Sequence, residues 1–295
     1  NDINTLEEQD ENIIFSRITQ IYNALTVANI KIITSLITPS VSDSAPWKKQ
    51  TLARLNTLIS DYALINKNII LVDMGKTIVD TITGNPIANY TDNTHPYNIG
   101  AYYMGKELAN KLNYLVKDNP FIPTTQIDER VINTNMFMLG DTAGLSDGLT
   151  TNVSAGTVFT KEDRSSGLGE FQVITSTVED GVQHSIITGV LTSGWNIGDT
   201  VLGFSDVEMN ASSFRNLYLD VRCMNSSFST ILSSNNLYSQ TGSVQETLSV
   251  ENESFTGILK TPKIVIPDNT VYLRISVQYD FIGELKIGRL GLMKL

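Results

Sequence analysis

The sequence predicts a chain in two parts, a parallel α/β half followed by an antiparallel all-β half. Three observations carry this. Up to residue 118, amphipathic stretches of helical period alternate with short β-branched runs, the pattern of a parallel sheet wrapped in helices. Beyond residue 130 the helical period disappears, and Gly, Ser, Thr and Asn punctuate short runs that alternate apolar and polar residues, as in an antiparallel sandwich. Between them, residues 119–130 contain Pro120 and Pro123 and read as a linker. A length of 295 residues suits two domains at roughly 100–200 residues each.

The elements follow in order. Residues 6–29 place Ile14, Ile18, Ile21, Leu25 and Ala28 on one helical face. "IKIITSLIT" (30–38) is short, apolar and β-branched, as a strand buried on both faces should be. "APWKKQTLARLNTLISDYALIN" (45–66) is helical again, with Pro46 suited to a first turn. "NIILVDM" (68–74) is a second buried strand, and "PYNIGAYYMGKELANKLNYLV" (96–116) a third helix. The all-β half (131–295) contains "GEFQVITSTVE", "HSIITGVLTS", "FRNLYLDVRCM", "TGILKTPKIVI", "VYLRISVQYDF" and "ELKIGRLGLMKL", each read as a separate strand between turns.

Composition excludes several classes. The net charge is −10, which repels phosphate backbones and disfavours nucleic acid as a partner. Most of the excess lies in the β half: residues 1–130 hold 14 acids and 11 bases, the remainder 17 and 10. Cys223 is the only cysteine, so neither an intrachain disulfide nor a cysteine-based zinc site is available. No apolar run approaches the roughly 20 residues of a membrane span, and no signal peptide opens the chain. No cofactor is expected.

Chemistry concentrates at residues 91–112, "TDNTHPYNIGAYYMGKELANKL", which hold one of only two histidines. The segment leaves the end of a predicted parallel strand, where α/β folds gather their active sites. An aspartate three residues before a histidine can hold one ring nitrogen, fixing the tautomer and stabilising the imidazolium. The structural alternative is a helix cap, because Asp92, Asn93 and Thr94 are all capping residue types.

"DNTHP" followed by "YNIGAYYMGKELANKL" resembles the closing block of the SGNH, or GDSL-like, hydrolases, in which an Asp-x-x-His pair serves a Ser-His-Asp triad. "NDI" at residues 1–3 resembles that family's Gly-x-Asn-Asp block, whose Asn amide donates to the oxyanion. The resemblance covers residues 1–116. It implies that Asp92 orients His95, that His95 is the general base, and that Asn1 is an oxyanion-hole donor. It also implies a flavodoxin-like three-layer α/β sandwich, incomplete at its N-terminus, since the family's nucleophilic serine and second oxyanion donor lie upstream of its Asn block. Ser35, Ser40, Ser42 and Ser44 follow the wrong strand, lack the Gly-Asp-Ser turn and read as polar loop. The chain alone is therefore expected to be inactive without a preceding segment of the same polypeptide.

The Asn-, Ser- and Thr-rich β half resembles carbohydrate-binding modules and the tailspikes of bacteriophages, some of which are SGNH deacetylases. This implies a jelly-roll-like sandwich, a polysaccharide partner, a homotrimer, and an extracellular or virion-surface location. The expected activity is a serine esterase that removes acyl groups, acetyl above all, from carbohydrate. The alternative is a non-catalytic glycan-binding or structural module. A lipase of the same family is disfavoured by the lack of an amphipathic lid pattern.

Other residues have plainer readings. His184, in an alternating run, reads as an exposed strand residue, and two distant histidines with no acidic cluster beside either make a poor metal set. Asp141 and Asp147 lie in a Gly-rich stretch that lacks the EF-hand pattern and reads as an ordinary loop. Trp195 is a candidate for stacking on a sugar ring or for the core, and Trp47 heads a helix.

Overall fold

The computed structural model describes residues 10–39, 46–91, 95–112, 123–125, 128–153, 155–165, 169–236 and 249–295. The chain divides into two compact units, Asn1–Asp118 with Ser243–Leu248, and Asn119–Gly242 with Ser249–Leu295.

The first unit contains helices α1 (Glu11–Val27), α2 (Pro46–Ile65) and α3 (Asn98–Leu112). Its strands β1 (Ile32–Ser35) and β2 (Ile69–Val72) pair in parallel, Ile32 opposite Ile69. Asp10 caps α1 by accepting the Asn12 N–H at 2.8 Å, which satisfies one of the orphan donors of the first turn. α1 and α2 pack together on one face of the strand pair. Ile14, Leu55 and Ile59 form one cluster, and Tyr22, Ile32 and Ile69 another. The buried face of α1 differs from the expected one: Ile21 is exposed and Tyr22 takes its place. The Tyr22 hydroxyl hydrogen-bonds the Thr34 hydroxyl, so this long side chain enters the core without losing its polar partner.

The expected flavodoxin-like three-layer sandwich is not formed. Among the described residues this unit has two strands, and Ile33, predicted to be covered, is half-exposed. Two short strands give too narrow a sheet for helical layers to cover both faces.

The second unit also departs from expectation. Its strands are β3 (Leu149–Asn152), β4 (Thr157–Asp163), β5 (Glu170–Ser176), β6 (His184–Thr188), β7 (Thr200–Met224), β8 (Thr230–Asn235), β9 (Val250–Lys260), β10 (Ile264–Val265) and β11 (Tyr272–Lys294). They do not make a jelly-roll-like sandwich of separate sheets. All nine join in one curled antiparallel sheet.

Two long strands explain why. β7 and β11 run antiparallel from Tyr272 opposite Met224 to Lys294 opposite Val201. Toward one end, β11 pairs with β6 and β7 with β8. Toward the other, β11 pairs with β5 and β7 with β9. The ladder shifts register at Asp280/Phe281, Ile282/Gly283 and Ile287/Arg289. Such bulges bend a strand and add twist without ending it. Tyr279, Phe281, Leu285, Ile287, Phe204, Val207 and Leu219 are fully buried along the two strands.

A charged cluster ties β7 to β11 and to the segment after β4. Arg289 donates to both oxygens of Asp206, through Nε at 2.5 Å and Nη2 at 2.7 Å. Arg164 donates to the same carboxylate at 3.2 Å and to the Gly288 carbonyl at 3.0 Å. The forked guanidinium suits this bidentate contact.

Gly283 sits at the bend with φ +136°, and an added Cβ would come within 2.4 Å of the Asn210 carbonyl oxygen and 2.8 Å of the Ala211 Cα. Gly283→Ala is expected to cost at least about 2 kcal/mol of stability through strain and backbone overlap. Urea denaturation measures this. Gly257→Ala on β9, where a Cβ meets nothing within 4 Å, serves as the control and should change little.

Candidate functional site

The sequence-predicted site begins where β2 ends. Beyond Val72 the chain turns through a 3-10 segment, Gly75–Thr77. Asp73 accepts the Lys76 N–H at 3.2 Å, and the Thr77 hydroxyl donates to the Met74 carbonyl at 2.9 Å. Ser35, at the matching end of β1, donates its hydroxyl to the Leu36 carbonyl at 2.9 Å and accepts the Met74 N–H at 3.4 Å. It joins the two strand ends and is not presented as a nucleophile.

The return to α3 is a short loop with a closed neck. Thr91 and Pro96 form an antiparallel bridge, and the Tyr97 N–H donates to the Tyr90 carbonyl at 2.8 Å. Gly100 makes this closure possible, because a Cβ there would lie 2.2 Å from the Tyr90 carbonyl oxygen. Tyr90 stacks on Tyr103 of α3, with centroids 5.4 Å apart. Lys76 reaches Glu107 at 2.7 Å, tying the 3-10 turn to the same helix. His95 stands exposed on this loop, just before the helix. Asp92 and Asn1 lie outside the described residues, as do Ser40, Ser42 and Ser44.

The second unit contains a polar cluster that sequence reasoning missed. His184 is buried, not exposed as predicted. Its Nε2 lies 3.1 Å from Asp180 Oδ1, and its ring packs on Tyr279 with centroids 5.9 Å apart. Asp280 of β11 is fully buried beside them. One ligand-capable atom from each of Asp180, His184 and Asp280 lies within 4.8 Å of the others, which corrects the expectation that neither histidine has an acidic neighbourhood. The Gly181 N–H donates to Asp280 Oδ2 at 3.0 Å. Asp280 Oδ1 is buried with no hydrogen-bond partner among the described residues. Burial pushes the Asp280 carboxyl above its ordinary range, with Glu179 adding to this and Arg215 opposing it.

Glu179 adjoins the cluster. It accepts from Ser213 at 2.7 Å, from Arg215 Nε at 3.0 Å, and from the Ser249 hydroxyl. The signal available in the sequence was Asp180 four residues before His184. Asp280, about a hundred residues away, becomes a neighbour only through strand pairing.

An aromatic pair marks another part of this unit. Phe228, in the turn between β7 and β8, has φ +60° and is more than half exposed. Its ring stacks flat on Tyr272, with centroids 4.7 Å apart and planes 3° apart. Asn225 holds the turn by accepting the N–H groups of Ser227 and Ser229, each at 3.0 Å. A non-glycine residue at positive φ is uncommon, and here it presents an apolar ring to solvent. Trp195 is half-buried, its indole N–H donating to the Leu191 carbonyl at 3.2 Å. Leu191 is bridged to Leu273, beside Tyr272.

The Gly-rich stretch at 135–148 forms a turn. Met136, Phe137 and Met138 enter the core, Asp141 accepts the Gly144 N–H at 2.7 Å, and Asp147 accepts from the Thr142 hydroxyl at 3.0 Å.

No protein-family model and no curated protein matches the chain. Among solved structures, the enzymatically active domain of tailspike protein 4 from bacteriophage CBA120 is similar at 8% identity and TM-score 0.36, covering 50% of this chain and 19% of its own. A Bacteroides fragilis protein that carries the name acylhydrolase is similar at 22% identity and TM-score 0.34, with 39% and 57% covered. A family 22 carbohydrate-binding module of Clostridium thermocellum Xyn10B is similar at 16% identity and TM-score 0.33, with 55% and 95% covered. The chain thus spans a fifth of the tailspike domain and just over half of the acylhydrolase. TM-scores of this size fall short of a shared fold.

Proposed function

We propose that the chain is part of a serine esterase that removes acyl groups, acetyl above all, from carbohydrate, with His95 as its general base. The observation that carries this reading is the position of His95. It is exposed, beside the Thr91–Pro96 bridge and just before the helix that starts at Asn98, within the sequence Asp-x-x-His-Pro. A base in that place is open to substrate.

The chemistry runs in two steps. A serine supplied outside the described residues attacks the ester carbonyl while His95 takes its proton; the tetrahedral intermediate then expels the sugar oxygen, to which His95 returns that proton, leaving the acyl-enzyme. Water then clears the acyl-enzyme, with His95 again as base. Asp92 would hold the imidazole in the accepting tautomer, and Asn1 would donate to the oxyanion. In this reading the first unit (1–118) is the catalytic part, residues 119–130 are the linker, and residues 131–295 hold the glycan. An extracellular or virion-surface homotrimer acting on polysaccharide belongs to the same reading.

The test uses the protein expressed from its full reading frame. It is expected to hydrolyse 4-nitrophenyl acetate, with His95→Ala lowering kcat by roughly a thousandfold or more and Asp92→Asn having a severe effect in the same direction. Turnover that survives His95→Ala unchanged would refute the assignment.

The alternative, a glycan-binding module without catalysis, is favoured by the exposed Phe228–Tyr272 stack, a flat apolar surface suited to the face of a sugar ring. Phe228→Ala is expected to weaken association with an acetylated polysaccharide by about tenfold, read by affinity electrophoresis. In this reading the parent protein does not hydrolyse the small ester. Unchanged retention would remove this pair from glycan recognition.

A further inference from the structure

We infer that Asp180, His184 and Asp280 form a binding site for a divalent transition metal, zinc first, which fastens the loop between β5 and β6 to β11. Geometry, unmet bonding capacity and charge each support the site.

The geometry suits a small ion. The three donor atoms lie within 4.8 Å of one another, and the His184 Nε2 to Asp180 Oδ1 separation is 3.1 Å. A tetrahedron with metal–ligand bonds of about 2.0 Å has edges of about 3.3 Å. Bringing the Asp280 oxygen from within 4.8 Å to that edge length would complete three corners and leave the fourth for water. The donors come from separate elements: Asp180 from the loop, His184 from the first position of β6, and Asp280 from the bulge in β11.

The bonding capacity is unmet. Asp280 Oδ1 is fully enclosed yet has no hydrogen-bond partner among the described residues. A carboxylate oxygen left in that condition costs several times a typical hydrogen bond. Asn216, which faces Asp280 across the β7–β11 ladder, also has a buried side-chain oxygen without a hydrogen-bond partner among the described residues. Asp280 Oδ2 is met by the Gly181 N–H, but one buried oxygen on each of these two residues lacks a donor among the described residues, a need that a cation beside Asp280 would meet.

The charges agree. Glu179, Asp180 and Asp280 bring three negative charges to this region, and Arg215, held by Glu179, brings one positive charge. With His184 neutral, as a ligand must be, two negative charges remain for a divalent ion to balance. An imidazole among the donors favours zinc and its transition-metal neighbours over calcium or magnesium, which prefer oxygen alone.

The site is tested on the full chain, stripped with dipicolinate and then titrated with zinc chloride or calcium chloride. The expected result is about one zinc per chain retained through gel filtration, measured by mass spectrometry of the metal, with a rise in Tm. Asp180→Asn, at the solvent-facing donor, and His184→Gln should each weaken zinc binding by at least about tenfold. Asp180→Asn keeps the test decisive if His184→Gln fails to fold. His95→Ala should bind zinc as the parent does. Four results would each overturn the inference: no zinc retained and no change in Tm, a response to calcium alone, zinc binding unchanged in Asp180→Asn, or zinc binding abolished in His95→Ala.

Discussion

The second unit depends on a single ladder. β7 and β11 stay paired through three register shifts, and β5, β6, β8, β9 and β10 each pair with one or the other. An antiparallel pair this long accumulates twist, and the bulges concentrate the bending near its middle. That is how one sheet carries different neighbours at its two ends. It also explains why β11 has an unbroken run of buried residues from Ile275 to Phe281. Alternation is the signature of a strand with one wet face, and both faces of this strand are covered there.

The same bend brings chemistry together. Asp280 occupies the first register shift, where the strand departs from regular pleating and a polar side chain can meet a neighbouring loop. Bulges frequently redirect side chains in this way. The acids at 179 and 180 reach the same place from the β5–β6 connection, and Arg215 from β7. The polar cluster is thus a product of strand pairing more than of any local motif. The His95 loop is the opposite case. Its neck bonds, its glycine and its helix entry all fall within residues 90–100, so its sequence pattern is complete in one short stretch.

This difference explains what could be read in advance. The three helices and the two parallel strands have local signals, namely helical period, an N-cap and β-branched runs. Even there, one face was misjudged: Ile21 fits the apolar spacing as well as Tyr22 does, and the tyrosine's partners, Ile32, Ile69, Tyr62 and the Thr34 hydroxyl, come from other elements. The β half was harder. "VYLRISVQYDF" and "ELKIGRLGLMKL" read as two strands because Gly283 between them is a turn signal, yet the strand bends there and continues. "FRNLYLDVRCM" likewise reads as one strand, although β7 begins at Thr200. His184 was misplaced because alternation alone does not say which side is buried. Its side is fixed by the pairing with Tyr279, a residue far along the chain. Phe228 gave little signal, since a phenylalanine among serines is an ordinary turn composition until its backbone angle is known.

The order of the strands has a consequence for synthesis on the ribosome. β5, β6 and β7 all precede β11, yet β11 lies beside each of them. While residues 272–294 are still inside the exit tunnel, the earlier strands can form only their outer pairs, such as β4 with β5 and β7 with β9. Their inner edges then carry unpaired N–H and C=O groups next to Val173, Ile174, Ile186 and Leu219, which are buried once the unit is complete. Such edges invite pairing with another chain. Neighbouring ribosomes on one message would hold several copies in this state at once. The yield of folded protein should therefore depend on how far apart those copies are kept, and on how quickly the last strand follows the ninth.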